Sequence, residues 1–143
     1  YTILRTNVLY GTAKFSRPDF VKWVVDSLRA KKQIRIVDDQ INNPTFIEDL
    51  VHAINVLIQL RKEGIYNIGG SEFLSRFDFT VLIADFFKLD KSLVNKIKTE
   101  ELNQPARRPL KSGLITIKAQ SELGYKPHTI IQTLELMKAE LGL

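Results

Sequence analysis

Tyr10 and Lys14 have the four-residue spacing of a proton-transfer pair. On a helix this spacing puts both side chains on one face, where the ammonium group lowers the pKa of the phenol for proton transfer. Gly11 directly follows the tyrosine, however, and the first helix-start signal comes only at Ser16. The pair therefore falls in a loop, where this spacing implies no shared face, and we interpret it as a coincidence.

A loop at residues 105–109, with the sequence Pro-Ala-Arg-Arg-Pro, is a candidate anion-binding site. The two prolines stiffen the loop around Arg107 and Arg108, and arginine binds phosphate through paired hydrogen bonds. From the residues alone two interpretations stay open. Either the arginines hold an anion, or they are surface charges that pair with nearby glutamates.

Adjacent carboxylates at Asp38 and Asp39 follow a strand signal. They could form an acid–base pair or hold a cation, but neighbouring residues of a strand point to opposite faces. Aspartate also starts turns readily. We therefore predict a polar turn here and no shared site.

The residue types that are missing exclude other chemistry. The sequence has no cysteine, which excludes disulfides and thiol nucleophiles, and only two histidines, so we expect no metal site. His52 and His128 have no Ser, Cys or Asp at an arranged spacing, and we expect structural roles for both, with His52 partly buried. Gly69 and Gly70 follow a strand, but a dinucleotide-binding turn needs three spaced glycines that open a helix. They predict the end of the strand.

Composition indicates an ordinary globular domain, with 44% hydrophobic and 26% charged residues in a chain of 143. The net charge of +5 suits an anionic partner such as a phosphate, a nucleotide or nucleic acid. The lysines and arginines are spread along the chain, whereas a nucleic-acid groove would show a denser basic stripe. The apolar runs are too short for a membrane span and no signal peptide is visible, so we expect a cytoplasmic protein.

The elements that must position these residues begin with a strand at 3–10, which is rich in β-branched and aromatic residues and ends at Gly11. Natural amino termini are usually polar and frayed. Because this sequence starts inside a strand signal, we expect that an upstream part is missing.

Capping residues mark the helix starts. Ser16 precedes a helix with Asp19 three residues later, and Ser75 opens another. Two capping boxes, in which a hydroxyl and a Glu or Gln side chain satisfy reciprocal backbone amides, begin at Thr45 and Thr129. Gly124 is the predicted carboxy cap of a short helix at 116–123, and the last helix runs to residue 141.

Helical periodicity predicts which faces are buried. The first helix turns one set of residues inward, namely Phe20, Trp23, Val24 and Leu28. The second does so with Ile47, Val51, Ile54 and Ile58. Further strands are predicted at 34–37 and 65–68, and more weakly at 95–98. Alternating strands and helices indicate an α/β fold with parallel strands.

Four segments of the chain occur in a fixed order. They are Arg5-Thr6-x-x-x-Tyr10-Gly11, Asp39-Gln40-x-x-x-Pro44-Thr45, Gly64-Ile65-Tyr66-Asn67 and Pro105-Ala106-Arg107-Arg108-Pro109-x-x-Ser112-x-Leu114. Together they resemble the dTDP-4-dehydrorhamnose reductase family of the extended short-chain dehydrogenase/reductase superfamily. The resemblance covers nearly the whole chain but only the second half of such enzymes.

The resemblance implies part of a Rossmann-type parallel sheet plus the small substrate-binding domain of an extended short-chain dehydrogenase. Residues 1–15 would be a late strand and loop of a truncated NAD(P)-binding domain, and residues 16–143 mostly the sugar-nucleotide-binding region. The missing amino-terminal half would carry the Gly-rich turn and the true Tyr-x-x-x-Lys, and would bind most of the NADPH or NADH. This chain would then hold no catalytic residue and would be inactive alone.

The resemblance also implies site residues. Three would lie near the nicotinamide at the carboxyl end of the strand, namely Thr6, Asn7 and Val8. The substrate-binding residues would be Val8, Gln40, Pro44, Thr45, Arg107 and Arg108. Of these, Arg108 would face the pyrophosphate of a nucleotide sugar.

The implied activity is the reduction of a dTDP-4-keto-6-deoxy sugar, as in dTDP-rhamnose biosynthesis. The sequence departs from the family pattern at two positions, which puts the identity of the sugar in doubt. The family often has Trp at the position of Val8 and Asn at the position of Lys111. The alternatives are another nucleotide-sugar epimerase or dehydratase, or a non-catalytic subunit similar to the regulatory beta subunit of methionine adenosyltransferase. An anion-binding module for nucleic acid ranks last. A homodimer stays open.

Overall fold

The computed structural model describes residues 1–12, 19–102, 104–106 and 108–141. The helices of this part are α1 Phe20–Arg29, α2 Ile47–Gln59, α3 Arg76–Phe86, α4 Ile117–Leu123 and α5 Ile130–Leu141. Its strands are β1 Thr2–Thr6, β2 Leu9–Tyr10, β3 Ile34–Val37, β4 Ile41–Asn42, β5 Thr45–Phe46, β6 Gly64–Ile68, β7 Leu74–Ser75 and β8 Val94–Ile97. No helix in these ranges is long and apolar enough to cross a membrane.

The strands form pairs, and most pairs are parallel, as the α/β prediction requires. β1 pairs with β6, β2 with β5 and β3 with β8, all parallel, while β4 and β7 are antiparallel. The single strand predicted at 3–10 is wrong in one respect. The predicted strand is divided at Asn7 and Val8 into β1, which pairs with β6, and β2, which begins at Leu9 and pairs with β5.

Helix α1 begins later than its predicted cap. Asp19 itself is the N-cap and accepts a hydrogen bond from the Lys22 amide at 2.9 Å, whereas Ser16 lies outside the described residues. The buried face carries mainly valines and leucine, and Trp23, predicted to be in the core, keeps 39% of its surface exposed. Helix α1 packs against α3, and the Trp23 ring lies 5.9 Å from the ring of Phe20.

Helix α2 lacks the capping box predicted at its start. Its N-cap is Phe46, which makes no side-chain capping bond. Thr45 belongs instead to β5, where it is fully buried and its hydroxyl donates to the Ile68 carbonyl at 3.5 Å. Because Thr45 lies in β5 and its hydroxyl bonds to Ile68, the hydroxyl does not cap α2. The predicted capping box at Thr45 is therefore wrong.

The buried face of α2 also differs from the predicted one. Asp49, Ala53 and Leu57 are buried, whereas Val51 and Ile58 are 49% and 70% exposed. Helix α2 has a clear apolar face, but the side that packs against β6 and α4 is the neighbouring one, so the most apolar face stays partly exposed among the described residues.

Three other local predictions are confirmed. The Ser75 hydroxyl accepts the Asp78 amide at 3.0 Å at the start of α3. At the start of α5, the Thr129 amide donates to the Gln132 side chain at 2.9 Å and the Gln132 amide donates back to the Thr129 hydroxyl at 3.3 Å. Gly124 ends α4 in the left-handed region, with φ 64°.

Two apolar cores hold these elements together. The larger lies between α1, α3 and α5 and includes Tyr10, while the smaller joins α2 and α4 to β6 and includes Tyr66. The segments around β4 and β5 are short, and Phe46 of β5 belongs to the larger core. They carry most of the residues predicted to bind ligand.

Candidate functional site

The short strand β4 lies between two other segments of the chain. On one side Ile41 is opposite Ser75 of β7. On the other it forms a bridge with Lys111, its amide donates to the Leu110 carbonyl at 2.7 Å, and its carbonyl accepts the Ser112 amide at 3.0 Å. Segments from three distant parts of the sequence are thereby joined into one small ribbon.

Each outer segment of this ribbon is next to an arginine. Arg76 directly follows Ser75 as the first residue of α3, and Arg108 lies two residues before Leu110. Partial burial lowers the pKa of the Arg76 guanidinium, and the nearby positive charge of Arg108 lowers it further. Both side chains are exposed at the surface, and Arg107 lies outside the described residues.

Two concave regions border the ribbon. The larger has a volume of about 580 Å³ and is lined by Asp39, Thr99, Glu100, Gln104, Ala106, Arg108 and Leu110. The smaller crevice is lined by Val8, Phe20, Asn42, Pro44, Leu74, Ser75, Arg76 and Phe79. Arg108 therefore faces the first region and Arg76 the second.

Asp39 and Thr99 line the larger region, and Gln40 contacts Thr99 from beside it. The Gln40 amide donates to the Thr99 hydroxyl at 3.1 Å, and that hydroxyl donates to Asp39 at 2.6 Å. This hydrogen bond lowers the pKa of the Asp39 carboxyl below its ordinary value. Asp38 pairs instead with Lys98 at 2.9 Å, so the two carboxylates share no site, as predicted.

The residues that end β1 lie near the same ribbon. Thr6 pairs with Ile68 and is exposed, while the Asn7 side chain donates to the Ser112 carbonyl at 3.1 Å. Val8 is 37% exposed, and its carbonyl accepts the Thr45 amide at 3.0 Å. The structure thus brings the end of β1 together with the segments around β4 and β5.

Pro44 and Thr45 are both buried, and their predicted role in shaping a cleft stays a prediction. Pro44 reaches the smaller crevice beside Val8. Thr45 is fully buried behind it, so it can support the crevice wall through its backbone and its bond to Ile68.

Asn43 fixes this wall from inside, and sequence reasoning did not single it out. Its buried amide group donates to the Gly70 and Leu114 carbonyls at 2.9 and 3.0 Å, and its oxygen accepts the Leu114 amide at 2.8 Å. A Cβ at Gly70 would lie 2.1 Å from the Pro44 carbonyl oxygen. The glycines that end β6 therefore also allow two backbone segments to approach closely.

Tyr10 is a core residue. Its hydroxyl lies 2.9 Å from the Thr133 hydroxyl, and burial raises the pKa of Tyr10 far above its ordinary value. A phenol that holds its proton this tightly is a poor acid. Lys14, the other member of the apparent pair, lies outside the described residues.

The two histidines differ in their surroundings. His128 donates its backbone amide to the buried Asp49 at 3.0 Å, and its ring nitrogen Nδ1 lies 2.5 Å from the same carboxylate. This contact ties α2 to the segment before α5, which is a structural role. His52 is exposed on α2, contrary to the expectation of partial burial.

Comparison with known proteins shows similarity along the whole described chain. The family model described as "RmlD substrate binding domain" matches residues 1–142. The spore coat polysaccharide biosynthesis protein SpsK of Bacillus subtilis is 30% identical over 88% of this chain and 42% of its own length. A dTDP-4-dehydrorhamnose reductase of Aggregatibacter actinomycetemcomitans is 30% identical over 96% of this chain and 49% of its own.

Similarity extends to solved structures. A dTDP-4-dehydrorhamnose reductase from Bacillus anthracis, crystallised with NADP, superposes with a TM-score of 0.85 at 29% identity. The match covers 98% of this chain and 48% of that protein. The chain therefore spans about half the length of the relatives it matches.

Proposed function

Because the chain belongs to the RmlD substrate binding domain family, we propose that it is the nucleotide-sugar-binding half of an NAD(P)-dependent reductase. The intact protein would reduce the keto carbon of a dTDP-4-keto-6-deoxy sugar. The observation that carries this is the meeting of Arg108, Gln40 and the end of β1 around β4. An anion-binding side chain and the carboxyl edge of a parallel strand then border one site.

The roles within this site follow from the chemistry of its parts. Arg108 has no ion-pair partner among the described residues, so its donors are available to a diphosphate. Val8 and Pro44 line the adjoining crevice, whose volume of about 10 Å³ cannot enclose a sugar, so they would offer apolar surface to the sugar only at its mouth. Gln40 holds Thr99 and Asp39 in place at the wall of the larger region.

The cofactor would contact this chain only at the end of β1. Thr6 and Val8 are exposed there and Asn7 is half-exposed, which fits a planar ring lying at a sheet edge. When bound, NADPH or NADH supplies the hydride. The residues of this chain orient the sugar and exclude water, which can account for several kcal/mol of a barrier.

The proton donor and the phosphate-binding turn for the cofactor would lie outside this chain. Tyr10 is buried in the core and holds its proton tightly, so a second, amino-terminal half would supply the proton donor and the phosphate-binding turn. β1 pairs with β6 on one edge, and its other edge has no strand among the described residues. We place the Rossmann half on that free edge, with the boundary after residue 15.

The direct test is to mix the intact protein with dTDP-4-keto-6-deoxy sugar and NADPH and to follow nicotinamide absorbance. Loss of absorbance that depends on the sugar supports the proposal. Absence of turnover with NADPH and with NADH, in a protein that is folded, contradicts it. A UDP-linked keto sugar serves as the control for nucleotide choice.

A second candidate is a non-catalytic binding subunit. Val8 favours it, because an exposed aliphatic side chain stands where the resemblance places an aromatic surface for the sugar. The same assay separates the two. Binding of the nucleotide sugar without oxidation of NADPH or NADH would favour the subunit.

A further inference from the structure

We propose that Arg76 is a second diphosphate-binding residue, which holds the ligand together with Arg108 from the opposite side of β4. This rests on the proposed function, because it names a further contact of the same nucleotide sugar. Nothing in the sequence around Arg76 suggested such a role. It emerges only from the way β4 pairs with its neighbours.

The backbone brings the two arginines to one place. β4 has β7 on one side and the segment around Lys111 on the other, with Ile41 paired to both. Arg76 continues the first neighbour, and Arg108 precedes the second. Adjacent strands lie about 5 Å apart, so the two outer segments lie about 10 Å apart across β4, a gap that two long arginine side chains can span towards one small ligand.

The side chain of Arg76 is held in a defined position. Its guanidinium lies 5.1 Å from the centre of the Phe20 ring, an arrangement in which the ring face attracts the cation. Phe20 is itself fixed by stacking on Phe79, with ring centres 5.7 Å apart. The arginine therefore loses less conformational freedom when it binds a ligand than a free surface arginine would.

The electrostatic surroundings of Arg76 favour an anion. Among the described residues it forms no ion pair, and Asp78, two residues further along α3, accepts a hydrogen bond from the Ser75 hydroxyl at 2.7 Å. Two guanidinium groups near each other repel: beyond the effect of partial burial, which is the larger cause, the positive charge of Arg108 lowers the pKa of Arg76 further. A diphosphate between them would relieve this repulsion and occupy both sets of donors.

The location also agrees with the order of groups in a nucleotide sugar. Arg76 lines the crevice that holds Val8 and Pro44, the two residues proposed to contact the sugar. Arg108 lines the larger region on the other side. A diphosphate that links sugar to nucleoside would thus pass between the arginines.

The test measures the affinity of the intact protein for dTDP, with Arg76→Gln, Arg108→Gln and, as matched control, Arg29→Gln. Arg29 is an exposed arginine at the opposite end of α1 from Phe20. We expect Arg76→Gln and Arg108→Gln each to weaken dTDP binding about tenfold or more, since each removes charge-assisted hydrogen bonds. The slope of affinity against salt should also decrease, while Arg29→Gln changes neither.

The outcomes separate this proposal from the one it rests on. If Arg108→Gln weakens dTDP binding and Arg76→Gln does not, the role of Arg76 is overturned while the proposed function stands. If the unchanged protein does not bind dTDP, both are contradicted. If Arg76→Gln lowers the unfolding temperature, Arg76→Lys is tested in its place. Weaker dTDP binding by Arg76→Lys at an unchanged unfolding temperature supports the proposal. Unchanged dTDP binding by Arg76→Lys overturns it.

Discussion

Arg108 is the residue on which substrate binding depends most directly in this account. We expect Arg108→Gln to raise the KM for the dTDP-linked sugar about tenfold or more, because a charge-assisted hydrogen bond contributes about 1.5–3 kcal/mol. The kcat should fall much less, since the diphosphate is remote from the reacting carbon. Steady-state kinetics of the intact protein measure both values. Equal losses in kcat and kcat/KM with an unchanged KM would place Arg108 at the chemistry instead.

Asn43 is predicted to matter for stability, although it touches no ligand in this account. Asn43→Ala leaves the Gly70 carbonyl and both backbone groups of Leu114 without their partner. We expect a loss of about 2–4 kcal/mol, because buried polar groups are left unsatisfied. Denaturant unfolding measures the free energy of unfolding of this variant and of the control Asn95→Ala. The control removes only an exposed hydrogen bond of 3.4 Å to Gln33 and should change the free energy of unfolding by less than about 0.5 kcal/mol.

At the scale of elements, the end of β6 and the segment after β4 approach each other closely. Gly70→Ala would put a Cβ 2.1 Å from the Pro44 carbonyl oxygen, so one backbone segment must move. We expect weaker dTDP binding together with lower stability, because the displaced segment lines the crevice.

Gly124→Ala is the matched control for that substitution. Gly124 has φ 64° but open space around its Cβ position, so alanine there costs about 1 kcal/mol and should leave binding unchanged. Thermal unfolding and dTDP titration of both variants give the comparison. A Gly70→Ala protein with normal binding would contradict the proposed rigidity of the crevice.

Local signals in the sequence predicted the elements that local interactions form. The reciprocal bonds of Thr129 and Gln132 need only four consecutive residues, and they occur as predicted. The same pattern failed at Thr45, because pairing of β5 with β2 engages that residue in the sheet. β4 and β7, of two residues each, carry too little pattern to be recognised and exist only through pairing between distant segments.

In the candidate site, too, residues marked by local sequence could be predicted, whereas residues placed by pairing between distant segments could not. Arg108 could be named from its residue type and its proline-bounded loop. Arg76 could not, because its position beside Arg108 depends on β4, and neither could Asn43, whose partners are 27 and 71 residues away. Whether Thr6, Gln40 and the other named positions contact a ligand stays a prediction.

For the molecule as a whole, binding and chemistry are assigned to different halves. The 143-residue chain produced alone should therefore not oxidise NADPH in the presence of the keto sugar. The physical reason is that the sequence contains no glycine-rich phosphate turn and that Tyr10, the tyrosine with the spacing of a proton-transfer pair, is buried. The absorbance assay measures this, with the intact protein as the control. Turnover by the isolated chain would show that the division is wrong.

The most direct test of the central claim is a crystal structure of the intact protein with dTDP bound. We predict that the diphosphate lies within hydrogen-bond distance of the Arg108 guanidinium, beside the ribbon formed by β4, with the end of β1 open to the sugar. Nucleotide bound at another surface, with Arg108 directed away from it, would contradict the proposed binding site.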